Sequence, residues 1–67
     1  MMARFMVLPI VTGNEPEEIF LEAVNVDNIS TIGSGRWTKH PTIHFVSKDY
    51  RIVNMDFESL VNKLNGA

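Results

Sequence analysis

Only the last stretch of this 67-residue chain has helical periodicity. Phe57, Leu60, Val61 and Leu64 fall at i, i+3, i+4 and i+7, which is one apolar stripe of a helix. Asp56 stands just before the stripe, where its carboxylate can cap the first turn, and Glu58 complements the helix dipole. Lys63 lies in the last turn, and Gly66 follows where a left-handed cap residue is expected. The spacing predicts a helix over 57–65. Everything before it has β-type patterning. One short helix must therefore cover a whole sheet, and it can shield only one of the sheet's two faces.

The β-type runs lie at about 4–11, 19–24, 30–32, 42–46 and 50–54 of the sequence. In the first, Phe5, Val7 and Val11 alternate with Met6, Leu8 and Ile10, so both faces are apolar and both need cover. Pro9 has no N–H to donate, which points to an edge or a bulge. Thr12-Gly13-Asn14-Glu15-Pro16 has turn composition and predicts a long hairpin loop to the second run. In that run Ile19, Leu21 and Ala23 alternate with Phe20, Glu22 and Val24. Asn25-Val26-Asp27-Asn28 then offers three Asx side chains that can bond nearby backbone N–H groups, which favours a corner over continued pairing. The last two runs form a hairpin around Lys48-Asp49. A two-residue tip there puts Phe45 opposite Ile52 and His44 opposite Val53, with Ile43, Phe45 and Ile52 on one face and His44, Val46, Arg51 and Val53 on the other. The expected architecture is a single α+β domain over residues 1–67, a five-stranded, mainly antiparallel β-meander with one C-terminal helix.

The chain contains no cysteine, so neither a disulfide nor a thiolate zinc site can reinforce it. A domain of this size buries only about 60% of its unfolded surface. Association as a dimer or larger homo-oligomer is the expected remedy. Candidates for self-association are Met6, Leu8 and Phe20, with His44, Val46 and Val53 on the hairpin.

From residue 24 onward the order of parts resembles the small SwrD/FlbD-type proteins linked to flagella and swarming. It also resembles short phage and bacterial proteins of the same plan. The residues that carry the resemblance are Val24-Asn25-Val26-Asp27-Asn28-Ile29 with Ile32, the hairpin Thr42-Ile43-His44-Phe45-Val46 to Ile52-Val53, and the helix start Asp56-Phe57-Glu58-Ser59-Leu60-Val61. They span about two-thirds of the chain and encode a turn, a hairpin and a cap. The resemblance implies the β-meander-plus-helix fold. Residues 1–23 exceed the usual single leading strand and turn, and 36–41 read as an insertion.

Charge is segregated along the chain although the net charge is only −2. Residues 1–35 set Arg4 against Glu15, Glu17, Glu18, Glu22 and Asp27, whereas residues 36–51 set Arg36, Lys39, Lys48 and Arg51 against Asp49. The basic third also holds Trp37, His40, His44, Phe45 and Tyr50. Arg36, Trp37, Lys39, His40, Lys48, Tyr50 and Arg51 are therefore the candidate residues for a partner or ligand. Cations interleaved with aromatic rings suit phosphates and unpaired bases. The same residues equally describe a solvated hairpin and a loop anchored by a tryptophan.

Other chemistry finds less support. His40 and His44 have the i, i+4 spacing of a helical zinc pair, but Pro41 and the surrounding β-pattern place them on a strand, about 13 Å apart. No metal or cofactor is expected. Gly33-Ser34-Gly35-Arg36 has the composition of a phosphate loop but opens no helix, and Ser34 has no base in a catalytic order. No segment reaches the ~18–20 apolar residues of a membrane span. The apolar start reads as a strand rather than a signal peptide. Absence of cysteine fits a reducing cytoplasm, bacterial or that of an infected host cell.

The function these residues suggest is a non-catalytic binding or regulatory module, homo-oligomeric and directed at a protein partner in the manner of phage-type accessory proteins. The alternative is single-stranded nucleic-acid binding through 36–51. A third reading is an oligomeric sponge for a small anion, using Arg36, Lys39 and Arg51.

Overall fold

The computed structural model describes residues 3–13, 16–35 and 39–66. Five strands, β1 (Phe5–Thr12), β2 (Glu18–Asn25), β3 (Ile29–Gly33), β4 (Thr42–Phe45) and β5 (Tyr50–Val53), precede one helix, α1 (Phe57–Asn65). The strands form a single sheet whose neighbours are all antiparallel, in the order β2-β1-β5-β4-β3. The α+β class, the strand count and the C-terminal helix are those expected from the sequence. Three of the four sequential junctions join neighbours, as in a meander. The fourth does not: β2 and β3 lie at opposite edges, and β5 returns to pair with β1.

The β2–β3 junction is the Asx-rich corner. Val26–Asn28 forms a single 3₁₀ turn, capped by Asn25, whose Oδ1 accepts the Asp27 N–H at 3.0 Å. The Val26 N–H bonds the Arg4 carbonyl at 2.8 Å, and the Val46 N–H bonds the Asn28 carbonyl at 2.8 Å. The corner is thus tied to the start of β1 on one side and to the end of β4 on the other. Arg4 adds a bidentate contact to Asp27 Oδ1, 3.1 Å from Nε and 2.6 Å from Nη2. That hydrogen bond holds the Asp27 carboxyl below the usual carboxylate range.

Pro9 sits in a central strand, not at the edge or bulge its missing N–H suggested. Its carbonyl accepts the Asn54 N–H at 2.8 Å, so the backbone groups of Pro9 face β5. The β1–β5 ladder is only two residue pairs long, Ile10 with Val53 and Val11 with Ile52. Pro9 therefore lies where that ladder is ending, and the absent donor leaves the eight-pair β1–β2 ladder intact.

The β4–β5 hairpin has a longer tip than Lys48-Asp49. The Phe45 N–H bonds the Asp49 carbonyl at 2.9 Å, and the Lys48 N–H bonds the Phe45 carbonyl at 2.9 Å. Lys48 has a φ of +77°. This is a three-residue loop whose last residue is left-handed, a position at which glycine is unstrained. The observed pairs are His44 with Tyr50, Ile43 with Arg51 and Thr42 with Ile52. The shift from the expected register is odd, so β5 is turned over. Arg51 and Val53 share the face of Ile43, and Ile52 shares that of His44.

Leu8, Ile10, Val24, Ile43, Val53 and Leu60 form the core, with Met6, Ile29, Ile32, Phe45, Met55 and Leu64 packed around them. Leu60 is the one fully buried residue of α1, so the helix covers the face carrying Leu8, Ile10 and Val24. Asp56 caps it as expected, Oδ2 accepting the Ser59 N–H at 3.3 Å. Gly66 ends the helix with φ −83°, a right-handed conformation instead of the left-handed one its position suggested, and its N–H bonds the Asn62 carbonyl at 3.1 Å.

Candidate association surface

With Met6, Leu8 and Ile10 turned to the helix, the other side of the β1–β2 hairpin faces solvent. Four large apolar side chains stand there: Phe5 is 63% exposed, Val7 55%, Ile19 53% and Leu21 72%. The register brings them together, since Val7 pairs with Ala23, Pro9 with Leu21 and Val11 with Ile19. Side chains of directly opposite residues share a face, so Val7, Pro9, Ile19, Leu21 and Ala23 form one patch with Phe5 at its end, while Val11 on the same face is buried. Clustering of this kind marks an interaction surface, whereas single exposed apolar residues do not.

The expected self-association residues divide. Phe20, His44 and Val46 are exposed. Met6 is half-buried against the core, and Leu8 and Val53 are wholly inaccessible. Leu8 and Val53 therefore belong to the interior of a single copy and cannot meet a second one. A strand with two apolar faces does not announce which of them goes inward. Phe5, Val7, Ile19 and Leu21 were missed for that reason. The one available cue, Glu22 on the Phe20–Val24 face, points the wrong way, because Glu22 is drawn inward by a partner from another strand.

That partner is Arg51, whose Nε donates to Glu22 Oε1 at 2.8 Å. Arg51 also donates through Nη1 to the Tyr50 carbonyl at 2.8 Å and lies 5.9 Å from the centre of the Phe45 ring. The antiparallel register would place Gly13 opposite Tyr50, yet β1 and β5 no longer pair there. The diverging strands leave an open cleft of about 500 Å³, bordered by Thr12, Gly13, Phe20, Glu22, Tyr50 and Arg51.

The other members of the basic and aromatic set are dispersed. Arg36 and Trp37 lie outside the described residues. Lys39 Nζ is 3.7 Å and His40 Nε2 3.2 Å from the carboxylate of Glu17. Lys48 is exposed at the hairpin tip, and the Tyr50 ring lies 6.1 Å from that of His44. Among the described residues, then, Tyr50 and Arg51 share the cleft while Lys39 and His40 gather on Glu17 and Lys48 stands apart. Among the described residues, two acids of the first third, Glu17 just before β2 and Glu22 within it, meet cations from the basic third, Lys39 and Arg51. No described helix is long and apolar enough to cross a membrane.

No protein-family model matches the chain, and no curated protein or solved structure matches it either.

Proposed function

We propose that this chain is a non-catalytic binding module that acts through protein association at the outer face of its β1–β2 hairpin. The observation that carries the reading is the exposed cluster of Phe5, Val7, Ile19 and Leu21 on an ordered sheet. Ordered strands present these side chains with little conformational entropy left to lose, which favours docking of a complementary apolar surface.

Binding of single-stranded nucleic acid has weaker support than it has from sequence. Lys39 and His40 lie against Glu17, and Arg51 lies against Glu22. Phosphate contacts by these groups would require breaking or sharing those pairs, and net attraction to a polyanion falls accordingly.

The test is capture with the tagged full chain, identification of the bound protein, and titration of that protein in purified form. Val7→Lys places a charge at the centre of the apolar face without touching the core. Binding that is retained by Val7→Lys rejects the outer face as the site. Titration with an oligonucleotide at low salt, followed by Trp37 fluorescence, tests the competing reading; a salt-sensitive change would restore it.

A further inference from the structure

We propose that a second copy of this chain docks on the free edge of β2, so that two β2 strands pair antiparallel about a two-fold axis at Leu21. The inference rests on the reading of the chain as an association module, and it names the first partner and the mode of contact.

The edge is open in a specific pattern. Because the backbone groups of Pro9 face β5, those of Leu8 and Ile10 face β2, and they are answered by Glu22 and Phe20. Alternation along the strand then turns the N–H and C=O groups of Ile19, Leu21 and Ala23 to the open side. Among the described residues, no hydrogen bond links those groups of these three residues to another part of the chain. An eight-residue edge strand with exposed Ile19, Phe20 and Leu21 and no Lys or Pro is the kind that pairs with another strand. The opposite edge is protected. β3 has five residues, a bulge between Ile29 and Thr31, and a Ser30 hydroxyl that donates to the His44 carbonyl at 3.2 Å.

Charge and the length of overlap together select the occupant and the register. With the two-fold axis at Leu21, Leu21 faces its own copy, Ile19 faces Ala23, Phe20 faces Glu22 and Glu18 faces Val24. No carboxylate then lies opposite another. Moving the axis to Glu22 sets Glu22 against Glu22, and moving it to Phe20 sets Glu18 against Glu22; like charges directly opposite are destabilising. Axes at Ile19 or Ala23 also avoid such a clash but pair only residues 18–20 or 21–25 of β2, whereas the axis at Leu21 pairs residues 18–24, the longest overlap free of like charges. In that register the outward groups of Ile19, Leu21 and Ala23 make about six inter-chain hydrogen bonds, within the range of about 10 ± 5 for a specific interface. The two outer faces become continuous, and the apolar patch of one hairpin is joined to that of its copy.

Sedimentation of the full chain from low micromolar to millimolar concentration, with amide exchange at both ends of that range, tests the proposal. The expected mass rises from 7.6 kDa to twice that value. The amides of Ile19, Leu21 and Ala23 are expected to exchange about tenfold or more slowly in the concentrated sample, while those of Phe20, Glu22 and Val24 are slow in both. Leu21→Pro removes an outward N–H that no intramolecular bond uses, and it is expected to return the mass to 7.6 kDa. Val7→Lys, one strand away from the edge, is expected to leave the dimer intact. A wild-type chain that stays monomeric overturns the proposal. So do a dimer without edge-amide protection, a dimer lost in Val7→Lys but kept in folded Leu21→Pro, and edge protection that arises only when a different protein is added. Capture of a partner that is sensitive to Val7→Lys by a monomeric chain would preserve the functional reading while rejecting this dimer. A dimer of the stated kind whose outer face binds nothing would do the reverse.

Discussion

Arg51 Nε donates to Glu22 Oε1 across 2.8 Å although β5 and β2 are not neighbours in the sheet. β1 lies between them, so the contact spans the inward side of the sheet over an intervening strand. It connects the basic third of the chain to the acidic first third. The side chains are 39% and 32% exposed, which makes this a rim contact and not a buried ion pair. Its value lies in fixing how the two ends of the sheet approach one another, at a modest energetic return.

Replacing Glu22 by Gln is therefore expected to destabilise by about 0.2–1 kcal/mol, with a loss that shrinks as salt is added. Arg51→Ala is expected to cost more, because its stem and its cation contact with Phe45 are removed as well. Urea denaturation of both variants at low and high ionic strength measures the difference. Equal losses for the two variants would show that the ion pair, and not the packing of the arginine, carries the contribution.

Leu60 is the fully buried side chain of α1 and the main attachment of the helix to the sheet. Leu60→Ala is expected to destabilise by about 2–5 kcal/mol, a large share of the ~5–15 kcal/mol available to a small domain. The midpoint of chemical denaturation reads this directly. A loss below about 1 kcal/mol would mean that the sheet retains its core without the helix.

Lys48 occupies a left-handed backbone position at +77°. Lys48→Gly relieves that strain but also loosens the unfolded chain, and the net expectation is a gain of about 0.5–1 kcal/mol. For a domain of this size that corresponds to a rise of roughly 2–8 °C in Tm. A lower Tm would indicate that the tip does not hold the left-handed turn in solution.

The Arg4–Asp27 contact confers a pH dependence whose sign follows from the lowered carboxyl pKa of Asp27. A carboxyl that ionises more readily in the folded state contributes stability above its unfolded pKa and loses it as pH falls through the folded one. Wild type and Asp27→Asn are therefore expected to differ at neutral pH and to converge in acid. A difference that grows on acidification would reject the assignment. Both groups are exposed, so added salt is expected to narrow the difference at neutral pH.

Local chemistry determined much of the fold from sequence alone. The helix follows from the spacing of Phe57, Leu60, Val61 and Leu64 and from the Asp56 cap, because both depend on residues within two turns of each other. The corner follows from Asn25, whose side chain bonds a backbone N–H two residues away. The existence of two apolar faces on β1 is equally a matter of period-two alternation. Which face turned inward was decided only by the tertiary structure, since the helix can cover either and the choice depends on how the whole sheet packs. The β4–β5 register was also beyond sequence: without glycine at the tip, the left-handed conformation at Lys48 carries no residue-type signal, and one odd shift moves Arg51 to the face where it meets Glu22. The strand order, too, depends on the β1–β5 pairing of residues more than forty positions apart. Alternation along a strand specifies two sides. Contacts between distant segments specify which side is inside.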